Sequence, residues 1–229
     1  MRFLIRTAAV TAVTAVTAGL LACGGGGDSV NSSPQAPIFN ADAAFANALS
    51  GGATLSGLKA TDPAGTRFVA SLAYSSLPAG SFSGIPARQS LQTATIGRVG
   101  EVPMTDAITV YYDTAPSRLL ATVTATGKTT VFVQGKGLPT AGRVGQSGQF
   151  AVGTAYASPA LGAPVGTEIL SWSIEPDGAT TALACLTSES RTSGSVSIDK
   201  DCFRIDGAGN ISGGTVSIDK SGLVLHFVQ

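Results

Sequence analysis

Ser197 and Lys200 stand three residues apart in "SIDK", and the same tetrapeptide returns at Ser217 and Lys220. A serine followed by a lysine at that spacing is suited to acyl transfer when it lies on a helix. One turn then separates amine from hydroxyl, and the amine can take the proton. The flanking residues forbid this. "VSID" alternates β-branched and polar side chains, which is a strand pattern. On a strand, residues three apart point to opposite faces and lie about 10 Å apart. The amine and the hydroxyl then cannot meet.

The spacing is similar to the Ser-x-x-Lys of penicillin-binding proteins and β-lactamases, and Lys220-Ser221-Gly222 resembles their Lys-Thr/Ser-Gly element. The chain lacks the large helical region of that family, so no such activity is expected. A Ser-His-Asp triad would need His226, the only histidine, which lies inside a final strand between Leu225 and Phe227. A Gly-x-Ser-x-Gly elbow is missing, since "GSFSG" at Gly80 to Gly84 carries its serines at other positions. Asp199, Asp201, Asp206 and Asn210 offer hard oxygen ligands of the kind calcium takes. Their spacing is not that of an EF-hand loop, and Asp-Gly and Asn are ordinary turn residues. No catalytic residue, cofactor or metal is expected.

The elements that carry these residues are strands. "TRFVASLAYSSL" places Phe68, Ala70, Leu72 and Tyr74 at period two, "AITVYYDT" aligns Ile108, Val110 and Tyr112, and "EILSWSIEP" aligns Leu170, Trp172 and Ile174. Turn signals separate the runs at Ala115-Pro116-Ser117, Thr126-Gly127-Lys128, Gly137-Leu138-Pro139, Pro176-Asp177-Gly178 and Asp206-Gly207. "GSVSIDK" at Gly194 and "GTVSIDK" at Gly214 form a short repeat, with Val196 and Ile198, then Val216 and Ile218, facing one way. The last strand directs Leu223, Leu225 and Phe227 to one face. One helix is expected over Asn40 to Gly52: Asn40 caps it, Asp42 suits its first turn, and Gly51 suits its exit. Phe45 and Leu49 share its face and, with Phe39, would plug an open end of a sheet. The fold class is therefore all-β and antiparallel with one short N-terminal helix, either a sandwich or a half-barrel or barrel meander.

The first 22 residues have another purpose. Arg2 and Arg6 precede an uncharged run from Thr7 to Leu21, which is too short for a spanning helix and fits a secretory signal peptide. Leu20-Leu21-Ala22-Cys23 resembles the lipobox of bacterial lipoprotein precursors. The resemblance covers about the first 23 residues and departs at Leu21, where a smaller or β-branched residue is commoner. It implies cleavage between Ala22 and Cys23, a diacylglyceryl group on the Cys23 sulfur, and acylation of the new amino terminus. Two or three chains anchor a protein stably where one binds marginally. Gly24 stands where an Asp would favour retention in the inner membrane. The resemblance therefore implies a lipid anchor in the cell envelope, in the outer membrane if the organism is Gram-negative. Residues 23–37 are then the lipidated cysteine and a Gly/Ser linker; the 14 residues from Gly24 to Pro37 span roughly 20 Å. The β domain is residues 38–229, and 135–148 is a place where it could divide into two small β units.

With Cys23 assigned to lipid, Cys185 and Cys202 remain as an even pair in an oxidising compartment, and a disulfide between them is expected. Losing Arg2 and Arg6 leaves 12 basic against 14 acidic residues, scattered along the chain. No basic run exists, so nucleic acid is not an expected partner. The expected function is non-catalytic binding or scaffolding by a membrane-anchored β domain, with an unknown protein or an apolar small molecule as partner. A carrier of lipid or other apolar ligands in a curved sheet is the second expectation. A hydrolase with an unrecognised site is the third.

Overall fold

In the computed structural model, which describes residues 36–113, 118–220 and 223–229, the period-two runs become twelve strands. They are β1 (Thr54–Thr61), β2 (Arg67–Phe82), β3 (Ile85–Arg98), β4 (Met104–Tyr112), β5 (Leu119–Thr124) and β6 (Thr129–Gln134), then β7 (Ser147–Tyr156), β8 (Pro164–Pro176), β9 (Ala182–Thr192), β10 (Ser195–Ile205), β11 (Ile211–Lys220) and β12 (Leu223–Val228). Each pairs antiparallel with the next, and β12 returns to β1 at Val228↔Lys59. The sheet is a closed up-and-down barrel, and among the sequence expectations the barrel meander is the correct form. Closure leaves no unpaired sheet edge. Residues 135–148 fall across the β6–β7 connection and the start of β7, within this one barrel.

The side-chain phases follow the sequence where hydrophobic residues alternate. Ala70, Leu72, Tyr74, Ile108, Val110, Tyr112 and Leu170 line the interior, Ile174 and Phe227 are fully buried, and Leu223 and Leu225 face inward. The repeat behaves differently. Val216 and Ile218 face the interior, but Val196 and Ile198 lie on the outer surface. Register explains this. Ser197 pairs with Lys220 and Ile198 with Asp219, so partners on β10 and β11 have opposite parity. The copies are an even 20 residues apart, and equivalent positions therefore face opposite ways.

Helix α1 (Ala41–Asn47) and the π turn that continues it (Ala48–Gly52) close one end of the barrel. Asn40 caps the helix, its side-chain oxygen accepting from the Ala43 N–H at 2.9 Å. Phe39 is fully buried and bridges to Gly142 in the β6–β7 connection. Phe45 packs edge-on against Phe203 of β10, with ring centroids 5.6 Å apart. Two glycines make the seat. Gly51 leaves the π turn at φ +99°, and a Cβ there would lie 3.0 Å from the Ser76 nitrogen of β2. Gly209, in the β10–β11 turn at φ +86°, lets that turn approach the helix start so closely that a Cβ would lie 2.6 Å from the Asn40 carbonyl oxygen.

Candidate functional site

Cys185 and Cys202 are directly paired across β9 and β10 and joined in a disulfide, with Cα atoms 4.0 Å apart. Both lie on the outer face and are buried there. Glu175 and Lys200 form an ion pair at 2.6 Å on the same face. Burial raises the Glu175 carboxyl, but hydrogen bonds from Lys200 and Ser173 outweigh it and hold the group below the usual range. The Glu175 carboxylate also lies within 4.8 Å of both sulfurs. Those sulfurs are bonded to each other, so they do not offer thiolates to a metal. Cys23 lies outside the described residues.

The Ser-x-x-Lys residues separate as strand geometry requires. Ser197 lines the interior while Lys200 holds Glu175 outside. On β11 the arrangement is reversed: Lys220 lines the interior and Ser217 bonds His226 on the outer face, at 2.7 Å. That serine–histidine pair is exposed, and among the described residues no carboxylate bonds the other imidazole nitrogen. Ser221 and Gly222 are outside the described residues. The oxygen ligands also divide. Asp206 and Asn210 bond each other in the β10–β11 turn, whereas Asp199 and Asp201 face the lumen.

The lumen is where side chains of differing chemistry converge. It holds a cavity of about 1010 Å³, at the upper end of the roughly 300–1,000 Å³ typical of small-molecule sites. At the plugged end the lining is apolar: Phe45 and Leu49 from the plug, with Leu119, Leu138 and Phe150 around them, and Tyr112, whose hydroxyl donates to the Leu49 carbonyl at 3.4 Å. At the other end five charged residues enter the lining: Asp106, Lys128, Glu168, Asp199 and Lys220. Each sits toward the open end of its strand or in the turn there. Ser188 donates to Glu168 at 2.8 Å.

Between these zones the lumen is bridged. Gln92 of β3 donates its amide to Asp201 of β10 at 3.1 Å, and Tyr74, the residue paired with Gln92, lies beside the Asp201 carboxyl. Asp201 is the deepest of the lumenal carboxylates. Burial and the nearby Asp199 push its carboxyl up to about 7, against the pull of Gln92 and Tyr74. Burial raises Asp199 as well, with Lys220 opposing and Glu168 adding to the rise. Burial and the Asp201 charge lift Tyr74 well above the ordinary phenol range, so it remains a hydrogen-bond donor.

In the sequence Asp201 reads only as an oxygen ligand, and Gln92, Tyr74 and Glu168 do not stand out as site residues. The available signal was phase: Asp199 and Asp201 share the interior-facing parity of Phe203, which a strand buried on one face would fill with apolar residues. Comparison with known protein families, with curated proteins and with solved structures returned no match for the chain.

Proposed function

We propose that this chain is a lipid-anchored protein of the cell envelope, and that its barrel binds a small apolar or amphiphilic ligand in the lumen without catalysis. The observation that carries this is the cavity, which is apolar at the plug and polar toward the opposite end. A ligand that buries an apolar body against Phe45 and Leu49 gains about 25 cal/mol for each Å² removed from water.

The outer surface supports a barrel that stands in water beside the membrane. A membrane-spanning barrel is apolar outside and polar within. Here the plugged end of the interior holds Leu, Phe and Ile, and the outer face, which exposes Val69, Val133, Val152, Val196 and Ile198, also carries Glu175, Glu189, Arg191, Lys200 and Asp219 along β8–β11. Lys or Arg on a lipid-facing surface at mid-bilayer costs about 2–4 kcal/mol. The lipobox of Leu20 to Cys23 supports attachment through lipid instead, with the linker giving the barrel reach.

Two measurements test the proposal. Cells fed radiolabelled palmitate should label the wild-type chain and leave Cys23→Ser unlabelled; an unlabelled wild type removes the anchor. Native mass spectrometry of the protein taken from membranes should show a co-purifying apolar molecule. No such mass, together with no binding of the neutral probe N-phenyl-1-naphthylamine, removes the lumenal site.

A further inference from the structure

Asp201 accepts from Gln92 of β3, with Tyr74 of β2 beside it. Going round the ring through β2, β1, β12 and β11, β3 and β10 are five places apart. The hydrogen bond therefore joins nearly opposite walls and lies across the path from the polar end to the apolar end. A ligand whose body rests on Phe45 and Leu49 and extends toward the polar end must pass this bridge or replace part of it.

We infer that the ligand is an apolar alcohol, whose hydroxyl inserts between Gln92 and Asp201, donating to the carboxylate and accepting from the amide. This rests on the lumenal-binding proposal above and names its ligand class. The chemistry at the bridge separates three kinds of head group. At pH 8 a carboxylate would face Asp201 and Asp199, two residues apart on the same side of β10, with like charge. An ammonium could donate to Asp201 but could not accept from Gln92, leaving that amide without a partner in a buried place, and it would lose its own hydration at depth. A hydroxyl offers one donor and an acceptor oxygen. It satisfies both sides of the bridge without bringing a charge into the lumen, and it leaves Tyr74 beside Asp201.

The test uses the full chain with Cys23→Ser, purified without detergent, and N-phenyl-1-naphthylamine as the lumenal probe. Displacement is measured at pH 8 with 1-dodecanol, dodecanoate and dodecylammonium. The alcohol is expected to displace the probe at concentrations about tenfold lower than either ion, the factor that one hydrogen bond to a charged group supplies. An alcohol enters any apolar cavity more readily than an ion does, so variants on two separate strands carry the discrimination. Asp201→Leu should cut the advantage over dodecanoate to below about threefold, and Gln92→Leu should narrow the advantage over dodecylammonium by a similar factor. Either variant suffices if the other fails to fold. Equal or better displacement by either ion in the unsubstituted lumen overturns the inference, as does an unchanged ranking in a folded variant. Those results leave lumenal binding intact if the probe binds. A lumen that takes up neither probe nor alcohol removes both the inference and the proposal it rests on.

Discussion

Gln92 and Asp201 are 109 residues apart in the chain, and their side chains meet at 3.1 Å inside the barrel. Burial of Asp201 at this contact, with Asp199 nearby, gives stability a dependence on pH. The Asp201 carboxyl is raised to about 7 in the folded protein, above its unfolded value, so the native state binds the proton more tightly. The resulting stabilisation is present at acid pH and lost as pH rises through 7. Asp177 and Glu175, held low by Arg204 and Lys200, act in the opposite direction at lower pH. Comparison with Asp201→Asn isolates the group. Between pH 5 and 8 the wild type should lose about 3 kcal/mol relative to the variant, as unfolding free energy measured in urea. A constant difference across that range would show that Asp201 is already ionised at pH 5.

The disulfide closes a separation of 17 residues. The loop-entropy relation gives about 3 kcal/mol for a loop of that size. The double variant Cys185→Ser/Cys202→Ser should lower the unfolding free energy measured in urea by that amount while far-UV circular dichroism stays the same, because β9 and β10 are paired along their whole length. A loss under about 0.5 kcal/mol would mean that the hairpin already restricts the unfolded chain as much as the bond does.

Gly209 is the tightest point of the plug's seat. Gly209→Ala adds a Cβ 2.6 Å from the Asn40 carbonyl oxygen and places alanine at φ +86°. A cost of about 2 kcal/mol is expected, or a fall in Tm of about 4–8 °C for a chain of this size. Asn47 bonds the Gly209 carbonyl from the same helix at 3.4 Å, so the loosening should appear as faster amide exchange in α1 than in β10. An unchanged Tm would show that the turn moves away from the helix freely.

Ser197 lies inside the barrel and its sequence-paired Lys200 lies outside, held by Glu175. A fluorophosphonate probe should therefore leave Ser197 unlabelled, and Ser197→Ala should not alter any labelling of the protein. Loss of a labelled band in Ser197→Ala would show that another base activates this hydroxyl.

The sequence by itself determined what depends on near neighbours. Phe68 to Tyr74, Ile108 to Tyr112 and Leu223 to Phe227 reveal their inward phase because side chains of a strand alternate whatever the strand later pairs with. Asn40 and Gly51 mark the ends of one helical segment through their own backbone and capping chemistry. Setting Cys23 aside through the lipobox resemblance left Cys185 and Cys202 as an even pair, and they are found bonded. Only the tertiary structure decided the rest. Closure at Lys59 and Val228 depends on how tilt and twist accumulate around twelve strands, which no single strand records. The opposite faces of the two "SIDK" copies depend on the β10–β11 register, which is a property of the pair. The meeting of Gln92, Tyr74 and Asp201 depends on both. Gln92 and Asp201 stand at inward positions of their strands. That they touch was fixed when the walls came round to face each other.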